Sequence, residues 1–510
     1  MAKENKLIIT AIFDYVIEVT GNNDYQQNQM FALKDNKNAQ LLLISASENK
    51  AFCLSNGDIN DFAIGKEVIE IENTNTVQTS LDYLGKIIDI KNNILFPLVK
   101  EQPKKFLKYN SQIFNTYTKL LDYEPLTDQL KTGYVLTDLL IPIGKGQREL
   151  IIGNRKTGKT HIALNAIINQ KNQNVKCVYV AIGQQHSQVS AIYEMLKANG
   201  ALDYTMIVAA KSDNPYDQYL APYVAMAHAE NLSYESDVLI VFDDLTAHAN
   251  IFREIALLTN KPVGKEAFPG DMFFAHSRLL ERSGKFKNRK SITALPILQI
   301  IDNDITSLIA SNVISITDGQ LVTNDKLFAL NYLPAIDVDL SVSRIGGAVQ
   351  KEHISRIAHE VGKIFRAYKR QTKLASLKYD LNDETKALIN KGQLIENMFI
   401  QKGVSIYSDE NMYLMSKLIS WNIFSDVKDI EVAIKFLEAL FATNELANEV
   451  FKKIMANSLP NETKAKEYFA FVLRQYGEYK NLGWKINIDK EFVRLSDSEI
   501  QAIENIMEAK

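Results

Sequence analysis

Cysteine is nearly absent. Cys53 and Cys177 are the only two in 510 residues, far apart and in no CxxC spacing. A disulfide framework and a cysteine-based zinc knuckle are thereby excluded. Glycine is sparse as well, 22 residues or about 4% of the chain, where about 7% is usual. Loops must be few, or turned by other residues. No apolar run approaches the roughly 18 residues that span a bilayer unaided. The opening segment, MAKENKLIITAIFDYVIEVTG, has neither a long apolar stretch nor a small-residue cleavage site. There is no excess of either charge: 58 Lys and Arg stand against 61 Asp and Glu, a net of −3. That balance excludes attachment to nucleic acid through bulk charge. The expectation is a cytoplasmic protein without membrane insertion, or a peripheral part of a larger assembly.

What remains is ordinary for a globular protein, 46% hydrophobic and 23% charged residues, and the length predicts roughly three domains. Over residues 1–100, short β-branched runs (KLIITAIFDYVIEV, AQLLLISA, LGKIIDI) are broken by Asn, Asp and Ser. They predict a small β-barrel whose turns use Asn and Asp, both tolerant of the left-handed conformation. Over 101–349 compact apolar runs (RELIIGN, KCVYVAIG, YTMIVAA, VLIVFDD, SITALPIL) alternate with helical stretches such as HIALNAIINQ and SQVSAIYEMLKANG. That alternation predicts a parallel sheet covered on both faces. Over 350–510, HISRIAHEVGKIFRAYKR and ETKALINKGQLIENMFI carry apolar residues at helical spacing, and SDSEIQAIENIMEAK reads as a closing polar helix. The fold class is α/β multidomain: N-terminal β-barrel, central phosphate-loop α/β domain, C-terminal helical domain.

One motif dominates. Residues 153–160 read GNRKTGKT, a GxxxxGK[ST] sequence between the strand RELII and the helix HIALNAIINQ. Gly153 and Gly158 let the backbone curl until successive N–H groups face one anion, and the helix N-terminus adds positive potential. Asn154, Arg155, Lys156 and Thr157 complete the loop. Lys159 is expected at the β- and γ-phosphates and the Thr160 hydroxyl on Mg²⁺. The strand VLIVFDD ends in Asp243 and Asp244. Asp243 is expected to orient Mg²⁺ or its water, although a strand-end Asp also serves as a helix cap, a role open to Asp244. Hydrolysis further needs a group that activates water. The matching strand end offers Gln184, Gln185 and His186. An amide orients water but takes up no proton, and a lone His there is commonly a surface residue.

Ordered blocks extend the pattern: PIGKGQRELIIGNRKTGKT, YVAIGQ, QYLAPY, FDDLTAHANIFREIALL, PVGKEAFPGDMFFAHSRLLER, TALPILQ, NVISITDGQ and DLSVSRIGGAVQ. Together they resemble the alpha, non-catalytic subunit of F-type rotary ATPases, densely over about 125–350 and faintly over 1–100. The resemblance implies a RecA-like central domain that binds ATP (or ADP) with Mg²⁺. It implies an alternating ring of three alpha-type and three catalytic beta-type subunits around a gamma-type shaft, peripheral at the cytoplasmic face of the membrane. Gln184 falls where the beta subunit carries its glutamate base, so the chain is expected to hold Mg-ATP without turning it over. Arg344, in SVSRIGG, falls on the arginine finger that reaches the γ-phosphate of the neighbouring catalytic subunit. Phe328, in KLFALNYLPAI read as an apolar strand, falls on the adenine-stacking aromatic, and Gln401 on a glutamine of the same pocket.

The chain also departs from the pattern. Asn154 and Lys156 stand where the family has Asp and Gln, Leu333 replaces an adenine-pocket Arg, and Gln185 and His186 replace a basic pair. The first strand-like run begins near Lys6, without the helix that docks the peripheral stalk in synthase members. These departures resemble specialised ATP-driven paralogues, including gliding-motility motors of wall-less bacteria, with further motor-specific partners. An ordinary proton-coupled synthase subunit shares every motif. A ring-shaped RNA translocase of the termination type needs aromatics beside basic residues at the N-terminus. Here no Arg precedes Arg148, so no nucleic-acid partner is expected. A purely structural subunit with an empty site would have no use for the GKT triplet and Asp243.

Overall fold

The computed structural model describes residues 6–56, 59–72, 75–98, 101–115, 120–375, 383–424, 427 and 429–509. The expectation about a docking helix at the N-terminus falls on residues 1–5, outside the described residues. The chain forms two compact units, Met1–Thr132 with Ile143–Gly346, and Gly133–Pro142 with Gly347–Lys510.

The first unit begins with a closed six-stranded barrel. Its strands, in spatial order, are Leu7–Phe13, Val16–Thr20, Lys50–Ser55, Gln40–Ser47, Met30–Leu33 and Glu67–Ile71. Alternation along them turns Leu7, Ile9, Ile17, Val19, Phe31, Leu33, Leu41 and Val68 inward. Cys53 is buried among them as a free thiol.

The nucleotide-motif region forms one large sheet. Glu149–Asn154 lies between Gly319–Thr323 and Arg289–Ile300, followed by Asp237–Asp243, Val175–Ala181 and Thr205–Ala209, all parallel. The middles of these strands are apolar because helices cover both faces. Antiparallel strands close the edges, Val342–Ser343 against Gly319–Thr323 and Ile94–Phe96 against Ile87–Ile88. The run LGKIIDI thus contributes Ile87–Ile88 to this sheet, parallel to Thr205–Ala209, rather than to the barrel. That pairing joins residues far apart in sequence, which no local pattern reveals.

Sparse glycine is offset by asparagine. Of fifteen non-glycine residues with positive φ among the described residues, ten are Asn, so turns that glycine would make elsewhere are made by a side chain that tolerates the left-handed region.

The second unit is helical. Its helices include Val135–Leu140, Glu352–Ala375, Asp383–Phe399, Asp409–Ser420, Ile430–Thr443, Glu445–Met455, Glu462–Tyr479 and Asp497–Ala509. Ser408, Asn444 and Asn461 cap three of them through their side chains. No helix among the described residues is long and apolar enough to cross a membrane.

Candidate functional site

The strand Glu149–Asn154 ends in a loop that leads into the helix Lys159–Ile168. Lys156 and Gly158 have φ of 63° and 87°, which winds the backbone around a hollow. Gly153 admits no side chain: a Cβ there would lie 1.9 Å from Thr323 Oγ1. Thr157 Oγ1 donates to Asn154 O at 2.8 Å and lies 2.6 Å from Thr323 Oγ1, tying the loop to the neighbouring strand. The Lys159 ammonium folds over the loop and donates to Gly153 O and Asn154 O. Burial pulls its pKa below the ordinary lysine range. Arg155 and Lys156 stand exposed at the rim.

Beside the loop, Thr160 Oγ1 donates to Asp243 Oδ2 at 2.7 Å. Asp243 ends its strand with its side chain almost wholly buried. The Tyr179 hydroxyl donates to the same oxygen. Burial, with the adjacent Asp243, holds that phenol far above its ordinary pKa. Tyr179 escaped the sequence reading because an aromatic in an apolar strand reads as core. The available signal was its hydroxyl, which a buried tyrosine must satisfy. Gln184 Nε2 reaches Tyr179 Oη and Asp243 O, each at 3.2 Å, while its Oε1 is buried without a partner. Asp244 caps the helix Leu245–Leu258 by accepting from Ala247 N at 2.8 Å, and burial pushes its pKa up to about 6. Gln185 caps the helix His186–Ala198 in a capping box with Gln188. His186 is exposed and lines a neighbouring hollow shared with Gln184, not the phosphate cleft.

Phe328 lies in the short helix Asp325–Ala329, not in a strand, because Asn324 accepts from Lys326 N and Leu327 N and starts a helical turn. Its ring is 41% exposed, so it is not core, and it sits 3.7 Å from where a Cβ on Gly158 would be. Asn154 connects the loop to this helix: its Oδ1 accepts from Asn303 N at 2.9 Å and its Nδ2 faces Asp325 Oδ2 at 3.4 Å. An Asp at 154 would set two carboxylates together, a physical reason for the asparagine. Gln401 belongs to the helical unit, where its carboxamide accepts from Val135 N at 2.7 Å and donates to Gly133 O at 3.1 Å.

The cleft bounded by Arg155–Thr160, Gln184, Asp243 and Phe328 encloses about 680 Å³, within the size that small-molecule sites occupy. Its parts fit a magnesium nucleotide. A curled backbone and an ammonium suit phosphate, a hydroxyl beside a carboxylate suits a hard cation, and an exposed aromatic flanks the loop.

Arg344 lies elsewhere. Its backbone N donates to Asp318 O at 2.9 Å, and its guanidinium to Thr317 O at 2.8 Å and Ile314 O at 3.3 Å, behind the helix Leu308–Ile316. The side chain is exposed. Along the pair of parallel strands, Glu149 is opposite Gly319 and Gly153 opposite Thr323. Arg344 is thus at the N-terminal edge of the sheet and the phosphate loop at the C-terminal edge, about 13 Å of strand apart.

Comparison with known proteins decides the family. The family described as ATP synthase alpha/beta, nucleotide-binding domain, matches residues 133–343. ATP synthase subunit alpha 2 of Mycoplasmopsis pulmonis is 41% identical over 494 residues, 96% of this chain and 96% of that protein. This chain belongs to the ATP synthase alpha subunit family. Subunit alpha 1 of the same organism is 40% identical over 370 residues, 72% of this chain and 69% of that protein. The alpha subunit of Mycoplasma capricolum is 39% identical over 425 residues, 78% and 80%. The alpha-type chain is therefore a nucleotide-binding subunit, and the GNRKTGKT loop lies inside the matched domain.

Proposed function

We propose that this alpha-type subunit holds Mg-ATP (or ADP) without hydrolysing it and serves hydrolysis at a neighbouring catalytic beta-type subunit, in an alternating ring around a gamma-type shaft. Backbone N–H groups of 153–160 and Lys159 bind the phosphates, Thr160 and Asp243 hold the metal and its water, and Phe328 flanks the base. The metal supplies charge neutralisation at the phosphates. Gln184 donates to Tyr179 Oη and Asp243 O; an amide orients water and accepts no proton, which favours retention over turnover.

The observation that carries the reading is the position of Arg344. It is exposed, at the sheet edge opposite its own phosphate loop, so its guanidinium is available to a nucleotide on another subunit and not to its own. There it would stabilise charge that develops on the γ-phosphoryl group in the transition state. The test is Arg344→Ala in the assembled complex. Assembly persists and turnover falls by about 10³-fold or more; unchanged turnover in an assembled ring would refute the role. Nucleotide released on denaturing the purified subunit tests the binding half.

The wider setting we propose is a specialised ATP-driven motor, of the kind used in gliding motility, rather than an ordinary proton-coupled synthase. The support is alignment with the second alpha subunit of an organism that has two, over nearly the whole of both chains. A gentle pull-down with intact-mass measurement tests it. A beta-type partner and shaft with unfamiliar proteins support the motor. Membrane-ring and stalk subunits overturn it.

A further inference from the structure

Glu149 opens the strand that leads to the phosphate loop, yet it is fully buried and its Oε1 has no hydrogen-bond partner. Its Oε2 accepts from Gln147 Nε2 at 2.7 Å. The same nitrogen reaches Ser343 Oγ at 3.1 Å, and that hydroxyl oxygen accepts from Gly346 N at 3.1 Å. Arg344 lies between those two anchors. Gln147 is itself fixed, its Oε1 accepting from Gly144 N at 2.7 Å. The fit leaves no slack: a Cβ on Gly319 would come within 2.4 Å of Glu149 Oε2 and 2.3 Å of Val342 O.

We propose that Glu149 is a positioning residue for Arg344, its carboxyl fixing the turn 343–346 through Gln147 and Ser343. The proposal rests on the reading of Arg344 as the residue that serves the neighbouring site. Two charged groups face Glu149. Asp318 is one, and its carboxylate is engaged by Arg148 through Nε at 3.0 Å and Nη2 at 2.8 Å. Arg344 is the other. Burial holds the Glu149 carboxyl well above the ordinary range against the Gln147 hydrogen bond, Asp318 adds to the rise, and Arg344 opposes it.

The experiment measures kcat and KM of ATP hydrolysis in the assembled complex. Glu149→Gln keeps an oxygen to accept from Gln147 Nε2 and retains kcat and KM within about twofold. Glu149→Ala removes the acceptor and lowers kcat by about tenfold with the same KM. Should the alanine variant fail to assemble, Ser343→Ala, which cuts the same link, decides by the same fall in kcat at constant KM. Native kcat in the assembled Glu149→Ala complex, or failure of Glu149→Gln to retain it, overturns the proposal. Arg344→Ala run in parallel separates the two readings. If it abolishes turnover while Glu149→Ala keeps the native kcat, only the role of Glu149 fails. If Arg344→Ala leaves turnover intact, the reading of Arg344 fails and takes this proposal with it.

Discussion

Acid should destabilise the first unit before its surface carboxylates titrate. Three histidines are fully buried there. His228 lies between Thr79 Oγ1 at 2.8 Å and Asn92 Oδ1 at 2.9 Å. His248 faces Tyr219 O at 3.1 Å and His276 Nε2 at 3.3 Å, and His276 Nδ1 has no partner. Burial pulls their pKa values down from 6.5 to about 3 for His228, about 4 for His248 and about 3 for His276. Between those values and 6.5 only the unfolded chain takes up the protons. Stability is therefore fully present above about pH 6.5 and is lost as pH falls through that window. At about pH 5 each histidine removes about 2 kcal/mol. Three carboxyls act with the opposite sign. Asp244, raised to about 6, and Glu149 and Asp217, also raised by burial, bind protons in the folded state first and favour folding as pH falls. From neutral pH to about pH 5 the three histidines together remove about 6 kcal/mol, and the raised carboxyls offset part of that loss. Urea unfolding of the purified chain at several pH values measures it. Substituting all three histidines by glutamine should flatten most of the slope. A native chain equally stable at both pH values, or a slope that survives the triple substitution, would refute the reasoning.

Gly153→Ala must push Thr323 aside, which costs about 1–3 kcal/mol; the melting temperature falls and no nucleotide is released from the denatured variant. Tyr179→Phe leaves Asp243 with one donor fewer and destabilises by about 1 kcal/mol in urea unfolding, with weaker Mg²⁺ dependence of nucleotide retention. Asn154→Asp sets a carboxylate against Asp325 and weakens nucleotide retention, and Asp325→Asn in the same chain restores it; failure of the second change to restore retention would refute the contact.

Local features were legible and long-range ones were not. The phosphate loop occupies eight consecutive residues whose spacing states its chemistry, and the strand carrying Asp243 is a continuous apolar run. Helices such as Glu352–Ala375 and Asp383–Phe399 followed from their periodicity. The strand Ile87–Ile88 did not, because its parallel partner is Thr205–Ala209. Phe328 was read as strand because its neighbours are apolar, and the cap at Asn324 outweighed them. Neither the bond from Tyr179 to Asp243 nor the burial of Glu149 is written locally. Parallel register brings residue 149 beside 319, and the antiparallel edge strand brings 343 beside 319.

The asparagines at left-handed turns carry a consequence for the gene. Every glycine codon begins with two guanines, whereas asparagine is written AAU or AAC. Where backbone geometry accepts either residue, as at Asn172, Asn260 and Asn457, a coding sequence can drift toward A and U without rerouting a single loop. The architecture absorbs a change in nucleotide usage at its turns, while Gly153, pressed against Thr323, stays outside that exchange.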